Sequence, residues 1–254
     1  MKAHILAACA VVGLATAPLA AEPGMKPYLT AALADPARAG DQGVDARRKP
    51  GDIIAFAGLK PGDTVVDLIP GSGYFSKIFS KVVGPKGHVY MIWPNEYAKE
   101  AHPDPENNQK LAAQPGYGNI TVIEQPGAAF ATPEPVDMVF TSQNYHDYPD
   151  KFMGQIDPMI FDRAVYKALK PGGVFLVIDH VAEAGSGLRD TDTLHRIDPA
   201  IVKKQVIAAG FVFEGESSAL RNPADDHKKV VFDKSIRGRT DQFIYRFRKP
   251  VKKS

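Results

Sequence analysis

Several side chains that could do chemistry lie together in residues 143–148, directly after an apolar segment that predicts a strand. His146 is the candidate general base for a substrate hydroxyl or amine, with Asp147 or Asp150 orienting its ring. Tyr145 is a candidate for holding the substrate or lining a cofactor pocket. Loops at the carboxyl ends of strands often carry function, although an ordinary polar loop with one surface histidine is the alternative.

Two further histidines follow the next predicted strand, His180 directly and His195 at the end of a long polar loop. Both are candidate catalytic residues that would face the same crevice as His146. Three imidazoles in one pocket could also hold a metal ion, with Asp179 or Asp192 as a further ligand. Because the separations along the sequence show no close ligand spacing, we predict no metal site.

A loop between a short apolar strand and an amphipathic helix, residues 67–73, is the segment most suited to positioning a ligand. It leaves free backbone N–H groups at a helix N-terminus, where nucleotide-like cofactors bind in open α/β sheets. Gly71, Ser72 and Gly73 are therefore candidate cofactor-binding residues. Asp67 would order the loop. The alternative is purely structural, with glycines serving turn geometry and the aspartate acting as a cap.

Composition excludes some classes of function. The chain of 254 residues has a formal net charge of +2 and no basic stripe, so nucleic acid is not an expected partner. Residues 1–21 have a basic start, an apolar run and small residues, which predict a cleaved signal peptide and a periplasmic or secreted protein without stable membrane insertion. The single cysteine, Cys9, lies in that segment, so thiolate metal sites and cysteine nucleophiles are excluded from the mature chain.

Alternating apolar segments and helical patterns in residues 45–254 predict one α/β domain with a mostly parallel sheet, preceded by an N-terminal arm at residues 22–44. Predicted strands cover residues 64–69, 89–93, 119–124, 136–140, 174–178, 211–217 and 241–247. Predicted helices cover residues 50–57, 75–83, 159–169 and 199–209. Between residues 95 and 114 only the second half is expected to be helical, since Pro103 and Pro105 interrupt the first.

Taken in order, these features resemble the class I S-adenosylmethionine (SAM)-dependent methyltransferases over roughly residues 45–248. The resemblance rests on residues 65–73, 89–93, 136–140, 169–177 and 208–212, where the Leu-Lys-Pro-Gly-Gly and Ala-Gly-Phe steps are the most recognisable. It implies a Rossmann-like α/β fold, a doubly wound sheet of seven strands that is mostly parallel with one antiparallel strand. It also implies SAM as the cofactor, with Asp67 orienting the amino-acid end of SAM.

Three positions depart from the family pattern. Ile69 fills the first glycine place of the acidic-x-Gly-x-Gly-x-Gly loop, and a bulky residue there changes how closely the loop approaches a ligand. Trp93 stands where the family generally has an acid for the ribose hydroxyls, and the nearest acid is Glu96; Trp93 would either stack on a flat ring or pack in the core. After the third strand, Glu124 or Gln125 stands near the place of an aspartate beside the adenine.

The resemblance implies an enzyme that transfers a methyl group from SAM to a small-molecule substrate. Asp67, Gly71 and Gly73 would hold SAM, while His146 and Tyr145 would handle the acceptor. One alternative is a periplasmic ligand-binding protein that keeps the fold and no longer uses SAM. Another is a metal-assisted hydrolase that uses the three histidines.

Overall fold

A computed structural model describes residues 24–251 of the chain. The predicted signal peptide, residues 1–21, lies outside the described residues and stays a prediction. Within residues 24–251, none of the helices combines the length and the apolar character needed to cross a bilayer. In the predicted N-terminal arm, a helix at Pro27–Leu33 buries Leu29 and Ala32 in the core, so this part of the arm is packed onto the domain.

One sheet forms the centre of the described chain. Its strands are β1 Thr64–Leu68, β2 His88–Pro94, β3 Ile120–Gln125, β4 Val136–Ser142, β5 Leu169–His180, β6 Val212–Ser217 and β7 Gln242–Arg248. The spatial order is β3-β2-β1-β4-β5-β7-β6. Strands β1 to β5 pair in parallel, and β7 runs antiparallel between β5 and β6. The predicted doubly wound, mostly parallel sheet with one antiparallel strand is confirmed.

Helices cover both faces of the sheet. They are α1 Pro27–Leu33, α2 Asp45–Arg48, α3 Pro50–Ala57, α4 Tyr74–Val83, α5 Asn95–Glu100, α6 Asp104–Ala112, α7 Pro158–Ala168, α8 Thr191–Leu194 and α9 Pro199–Ala208. The prediction that the first half of residues 95–114 is not helical is wrong. Helix α5 ends before Pro103, and Pro105 lies in the first turn of α6. Proline is tolerated there because the N–H groups of the first turn make no hydrogen bond within the helix.

The core consists of two apolar clusters, one on each face of the sheet. Successive residues of a strand point to opposite faces, so Val65 packs in one cluster and Val66 in the other. Phe75 and Phe79 of α4 meet Phe140 of β4 with ring centroids 4.7 and 5.1 Å apart. Each fully buried side chain of this size contributes about 1.5–3 kcal/mol, which fixes α4 and the loop before it against the sheet.

The sheet order reverses between β1 and β4, because the chain leaves β1 towards β2 and later returns to the other side of β1. Loops from neighbouring parallel strands diverge at such a point, leaving a crevice at the carboxyl ends of the strands. The loops after β1, β4 and β5, which carry most of the predicted site residues, therefore meet at this edge.

Candidate functional site

A cavity of about 970 Å³ occupies the crevice at the carboxyl ends of β1, β2, β4 and β5. It joins the loop after β1 to the three predicted histidines. The residues that line it include Arg48, Ile69, Gly71, Ser72, Trp93, Glu100, Asp104, Asn144, His146, Asp147, His180, His195, Val231, Phe232 and Arg237. A second cavity, of about 660 Å³, is lined by residues 219–224 and 235–242 together with Arg47, and it lies away from the strand ends after β1 and β2.

The loop after β1 turns through left-handed backbone conformations. Ile69 has φ 52°, Gly71 55° and Gly73 78°. A positive φ is unusual for a β-branched residue, so the surrounding contacts must hold Ile69 in place. Its N–H donates to the carbonyl of Ile92 at 2.9 Å, and its own carbonyl accepts from Asn144 Nδ2 at 3.2 Å. Isoleucine in the family's glycine place thus has a left-handed backbone, which glycine adopts more readily.

The strain at Ile69 can be measured by comparing two truncations. Both Ile69→Gly and Ile69→Ala remove a buried side chain, which costs about 2–5 kcal/mol. At an ordinary position glycine is about 0.5–1 kcal/mol less stable than alanine. At Ile69 we expect the reverse, with Ile69→Gly more stable than Ile69→Ala by about 1 kcal/mol in urea unfolding, because glycine removes the left-handed penalty. The same pair of substitutions at Ile92, a buried strand residue outside the left-handed region, is the control. The interpretation is wrong if both sites show the same order.

Asp67 and Gly73 do not line the cavity. They support the loop after β1 from the side that faces away from the cavity. Ser76 Oγ donates to Asp67 Oδ2 at 2.5 Å. Burial raises the pKa of Asp67 to about 7, although the Ser76 hydroxyl and the charge of Arg48 act against this rise. A Cβ atom at Gly73 would lie 3.1 Å from Leu111 and 3.2 Å from Met91, so glycine allows α4 to approach the sheet closely.

Trp93 borders the cavity while its side chain is fully buried. Its Nε1–H donates to Asn108 Oδ1 at 3.0 Å, and Asn108 Nδ2 donates to the carbonyl of Gly71 at 3.1 Å. The tryptophan at the ribose-acid position therefore helps to hold the glycine loop. Glu96, the acid nearest in sequence, accepts from the Gly127 N–H at 2.9 Å and does not line the cavity.

His146 lies between two carboxylates. Its Nδ1 is 2.8 Å from Asp179 Oδ1, and its Nε2 is 3.2 Å from Asp147 Oδ1. Asp179 Oδ2 also accepts from the His146 backbone N–H at 2.8 Å, so Asp179 orients the ring together with the predicted Asp147, whereas Asp150 accepts from Thr191. Burial alone would lower the pKa of His146, but these two carboxylates outweigh it and raise the pKa well above the usual range. As arranged, His146 holds its proton at neutral pH and is a poor general base.

The other two predicted histidines also line the cavity. The rings of His180 and His195 have centroids 6.2 and 5.5 Å from the ring of His146. His180 Nδ1 pairs with Thr240 Oγ1 at 2.8 Å, and burial lowers the pKa of His180 to about 4, which keeps it neutral. His195 Nδ1 lies 3.9 Å from Asp147 Oδ1. The sequence-based expectation that the three histidines share one crevice agrees with this arrangement.

Four predicted side chains lie elsewhere. Tyr145 is fully buried below the site, where its hydroxyl donates to Asp162 Oδ2 at 3.0 Å. Gln125 lies at the end of β3 and donates to the carbonyl of Ala131 at 3.1 Å. Asp150 accepts from Thr191 Oγ1 at 2.7 Å, and Asp192 is exposed. None of the four lines the cavity, so the predicted roles of Tyr145 and Gln125 do not match their positions.

Sequence reasoning missed several cavity residues. Arg48 stacks over Tyr74 and Phe75, with its guanidinium carbon 4.4 and 4.9 Å from their ring centroids, and within residues 24–251 it forms no hydrogen bond or ion pair. Burial lowers its pKa. Glu100 and Asp104 belong to the helices after β2. In the sequence, the only indication that Glu100 and Asp104 belong to the site is that they follow a predicted strand. No feature of the sequence indicates that Arg48 belongs to it.

The sequence of this chain is similar to one protein family and to several curated proteins. The family model for protein-L-isoaspartate(D-aspartate) O-methyltransferase matches residues 28–159. A protein-L-isoaspartate O-methyltransferase of Ignicoccus hospitalis is 30% identical over 127 residues, covering 49% of this chain and 51% of its own. A ubiquinone/menaquinone biosynthesis C-methyltransferase of Pasteurella multocida is 29% identical over 127 residues, covering 50% and 43%. The chain spans about half the length of these curated relatives.

A solved SAM-dependent methyltransferase from Aquifex aeolicus has the same fold, with a TM-score of 0.58 at 20% identity over 85% of this chain and 94% of its own. The family match begins in α1, runs through the glycine loop and β4, and includes His146. It ends at residue 159, before His180 and His195. Since more than half of the sequence, including the whole loop after β1, fits this one model, the chain belongs to the protein-L-isoaspartate(D-aspartate) O-methyltransferase family.

Proposed function

We propose that this protein transfers a methyl group from SAM to a small-molecule acceptor. The observation that carries this proposal is the single cavity that joins the loop after β1 to His146, His180 and His195. In an open α/β sheet a nucleotide-like cofactor binds at such a loop. The methyl group would then point along the cavity towards the histidines.

The cofactor half of the cavity offers charges that suit SAM. Arg48 is a partly buried cation that forms no ion pair or hydrogen bond within the described chain, and the carboxylate of the methionine part of SAM would supply a direct partner. Glu100 and Asp104 are carboxylates that could accept hydrogen bonds from the ribose hydroxyls, in place of the acid that Trp93 displaces. Ile69, Gly71 and Ser72 would contact the cofactor directly.

The acceptor half supports a small molecule. The segment between β6 and β7 contributes Val231, Phe232 and Arg237 to the cavity wall, which narrows the space available to a folded protein substrate. This segment and His180 lie beyond residues 28–159, the part of the chain that matches the family model. Catalysis would consist mainly of aligning the acceptor with the methyl group, with neutral His180 as the imidazole available to hold it.

Calorimetry with SAM and S-adenosylhomocysteine tests the cofactor. We expect Arg48→Met to weaken SAM binding by about 10- to 100-fold, the value of a lost charge-assisted hydrogen bond of about 1.5–3 kcal/mol. Arg47→Met is the matched control, because Arg47 is exposed and does not line this cavity. Unchanged affinity in Arg48→Met would contradict the assignment of Arg48.

The acceptor is tested separately with labelled SAM. Transfer to small hydroxyl or amine compounds is the expected result, and efficient transfer to an isoaspartyl peptide would overturn the small-molecule part. If folded wild-type protein binds neither SAM nor S-adenosylhomocysteine at millimolar concentration, the proposal is wrong. The second candidate, a ligand-binding protein that no longer uses SAM, would then be favoured, because Ile69 and Trp93 place bulky side chains at the two departing positions of the pocket.

A further inference from the structure

We propose that His146, Asp147 and His195 bind a divalent first-row transition-metal ion in the wall of the cavity. The three side chains together form a two-histidine, one-carboxylate set on one side of the acceptor half. This inference adds a metal ion to the proposed acceptor site. It rests on the proposed function only in one respect, namely that the molecule bound to the open positions of the ion would be the methyl acceptor. The ion site itself depends on geometry that is independent of SAM.

The spacing of the donor atoms fits one ion. One donor atom from each of His146, Asp147 and His195 lies within 4.8 Å of the other two. Two ligands bound at about 2.1 Å with an angle of 90–109° are about 3.0–3.4 Å apart. The distance from His146 Nε2 to Asp147 Oδ1, 3.2 Å, already has this value. The distance from His195 Nδ1 to Asp147 Oδ1, 3.9 Å, would have to shorten by about 0.5–0.9 Å to reach this value.

The surroundings of His146 match those of a metal ligand. Its Nδ1 faces Asp179 Oδ1 at 2.8 Å, which leaves Nε2 directed at Asp147 and the cavity. Metal-binding histidines usually donate their other ring N–H to a carboxylate, because this fixes the tautomer and raises the basicity of the ligating nitrogen. Asp179 is itself fixed, since its carboxylate also accepts from the backbone N–H groups of His146 and His180 at 2.8 and 2.7 Å.

His195 occupies a backbone conformation that needs an explanation. It follows α8 with φ 53°, a left-handed value that glycine or asparagine would adopt more readily. Such outliers collect at binding sites. Its side chain is 30% exposed and packs against Phe232 with ring centroids 4.9 Å apart, so it is held near Asp147 but retains room to adjust.

The ligand set indicates the class of ion. Two imidazole nitrogens and one carboxylate suit Zn²⁺, Fe²⁺, Mn²⁺ or Co²⁺, whereas Mg²⁺ and Ca²⁺ prefer all-oxygen sites. Three protein ligands leave coordination positions open, and these would face the cavity. The ligand expected there is an acceptor that carries a hydroxyl or carboxylate oxygen.

Metal binding can be measured without any activity assay. Untagged full-length protein, freed of metal, is dialysed against Zn²⁺ and analysed by mass spectrometry of the elements, and Co²⁺ is added to a second sample to record its visible absorption. We expect one Zn²⁺ per chain and the absorption bands of a nitrogen- and oxygen-ligated Co²⁺ ion. His195→Ala should weaken Zn²⁺ binding by at least about 100-fold, since even outer-shell substitutions cost about 10- to 100-fold. His102→Ala is the matched control, because His102 forms an exposed pair with Glu106.

The possible outcomes separate this inference from the proposed function. Substoichiometric Zn²⁺ in the wild-type protein, or full retention in both His195→Ala and Asp147→Asn, would overturn the metal site. Circular dichroism checks that each variant folds, and the wild-type Co²⁺ spectrum needs no variant at all. Loss of the metal site together with intact SAM binding would reject only this inference, whereas metal binding without SAM binding would reject only the proposed cofactor.

Discussion

Replacing Asp225 by asparagine should lower the free energy of unfolding by about 3–5 kcal/mol, because it leaves a buried guanidinium without its counter-charge. Arg196 is fully buried, and its Nη1 and Nη2 donate to the two carboxylate oxygens of Asp225 at 2.9 and 3.1 Å. Each of these oxygens also accepts a backbone N–H, from Asp241 at 2.7 Å and from His227 at 3.1 Å. In Asp225→Asn one of these oxygens becomes an NH₂ group. That group cannot accept a hydrogen bond from either of the two N–H donors that point at it.

Urea unfolding measures this effect as the difference in unfolding free energy between Asp225→Asn and the wild type. Glu183→Gln, which neutralises a surface carboxylate, is the control. Glu183 pairs with Arg189 at the surface, where the side chains are 56% and 60% exposed, so its neutralisation should cost less than about 1 kcal/mol. A double variant, Asp225→Leu with Arg196→Met, should recover much of the loss, since apolar replacement of a buried ion pair is often neutral. A loss in Asp225→Asn no larger than in Glu183→Gln would show that water reaches Arg196. The pair also matters for the site, because it holds the segment that supplies Val231 and Phe232 to the cavity.

The sheet and its glycine loop could be predicted from the sequence because their signals are local. Apolar runs, helical spacing and Gly-Pro punctuation each report on a few neighbouring residues, and their order along the chain then limits the topology. Ile69 illustrates the limit of this approach. The sequence identifies it as the departure from a glycine, but only the backbone shows that it keeps a left-handed φ of 52°.

The arrangement of side chains in the site could not be predicted in the same way. His146 and Asp179 are 33 positions apart, and no short-range pattern joins them. Tyr145 and His146 are adjacent in a 3₁₀ turn, yet one side chain enters the core and the other enters the cavity. Because Tyr145 and His146 are adjacent in the sequence, they are both expected to contact the substrate. The turn instead directs Tyr145 into the core and His146 into the cavity.

A second large effect is expected from the pH dependence of stability, through Asp67. Burial raises the pKa of this carboxyl group from 3.8 to about 7 in the folded protein. Between these two pH values the unfolded chain has released the proton while the folded chain keeps it. The unfolded state then binds fewer protons, so the stabilising contribution of Asp67 is complete below pH 4 and is lost as the pH rises to about 7. Over this interval the contribution amounts to about 3–4 kcal/mol.

Asp67→Asn should remove this part of the pH dependence, because the amide stays neutral and its carbonyl oxygen can still accept from Ser76 Oγ. The unfolding free energy of Asp67→Asn minus that of the wild type should therefore rise steadily from pH 4 to pH 7, by about 3–4 kcal/mol. Asp52→Asn, at an exposed position in α3, is the control for the loss of a carboxyl group as such. A flat difference between Asp67→Asn and wild type would mean that the pKa of Asp67 in the folded protein stays near its ordinary value of 3.8, because Arg48 and Ser76 offset the effect of burial. Asp67 would then be ionised over most of the interval from pH 4 to pH 7, and the glycine loop would pack against a negative charge there and not against a neutral carboxyl group.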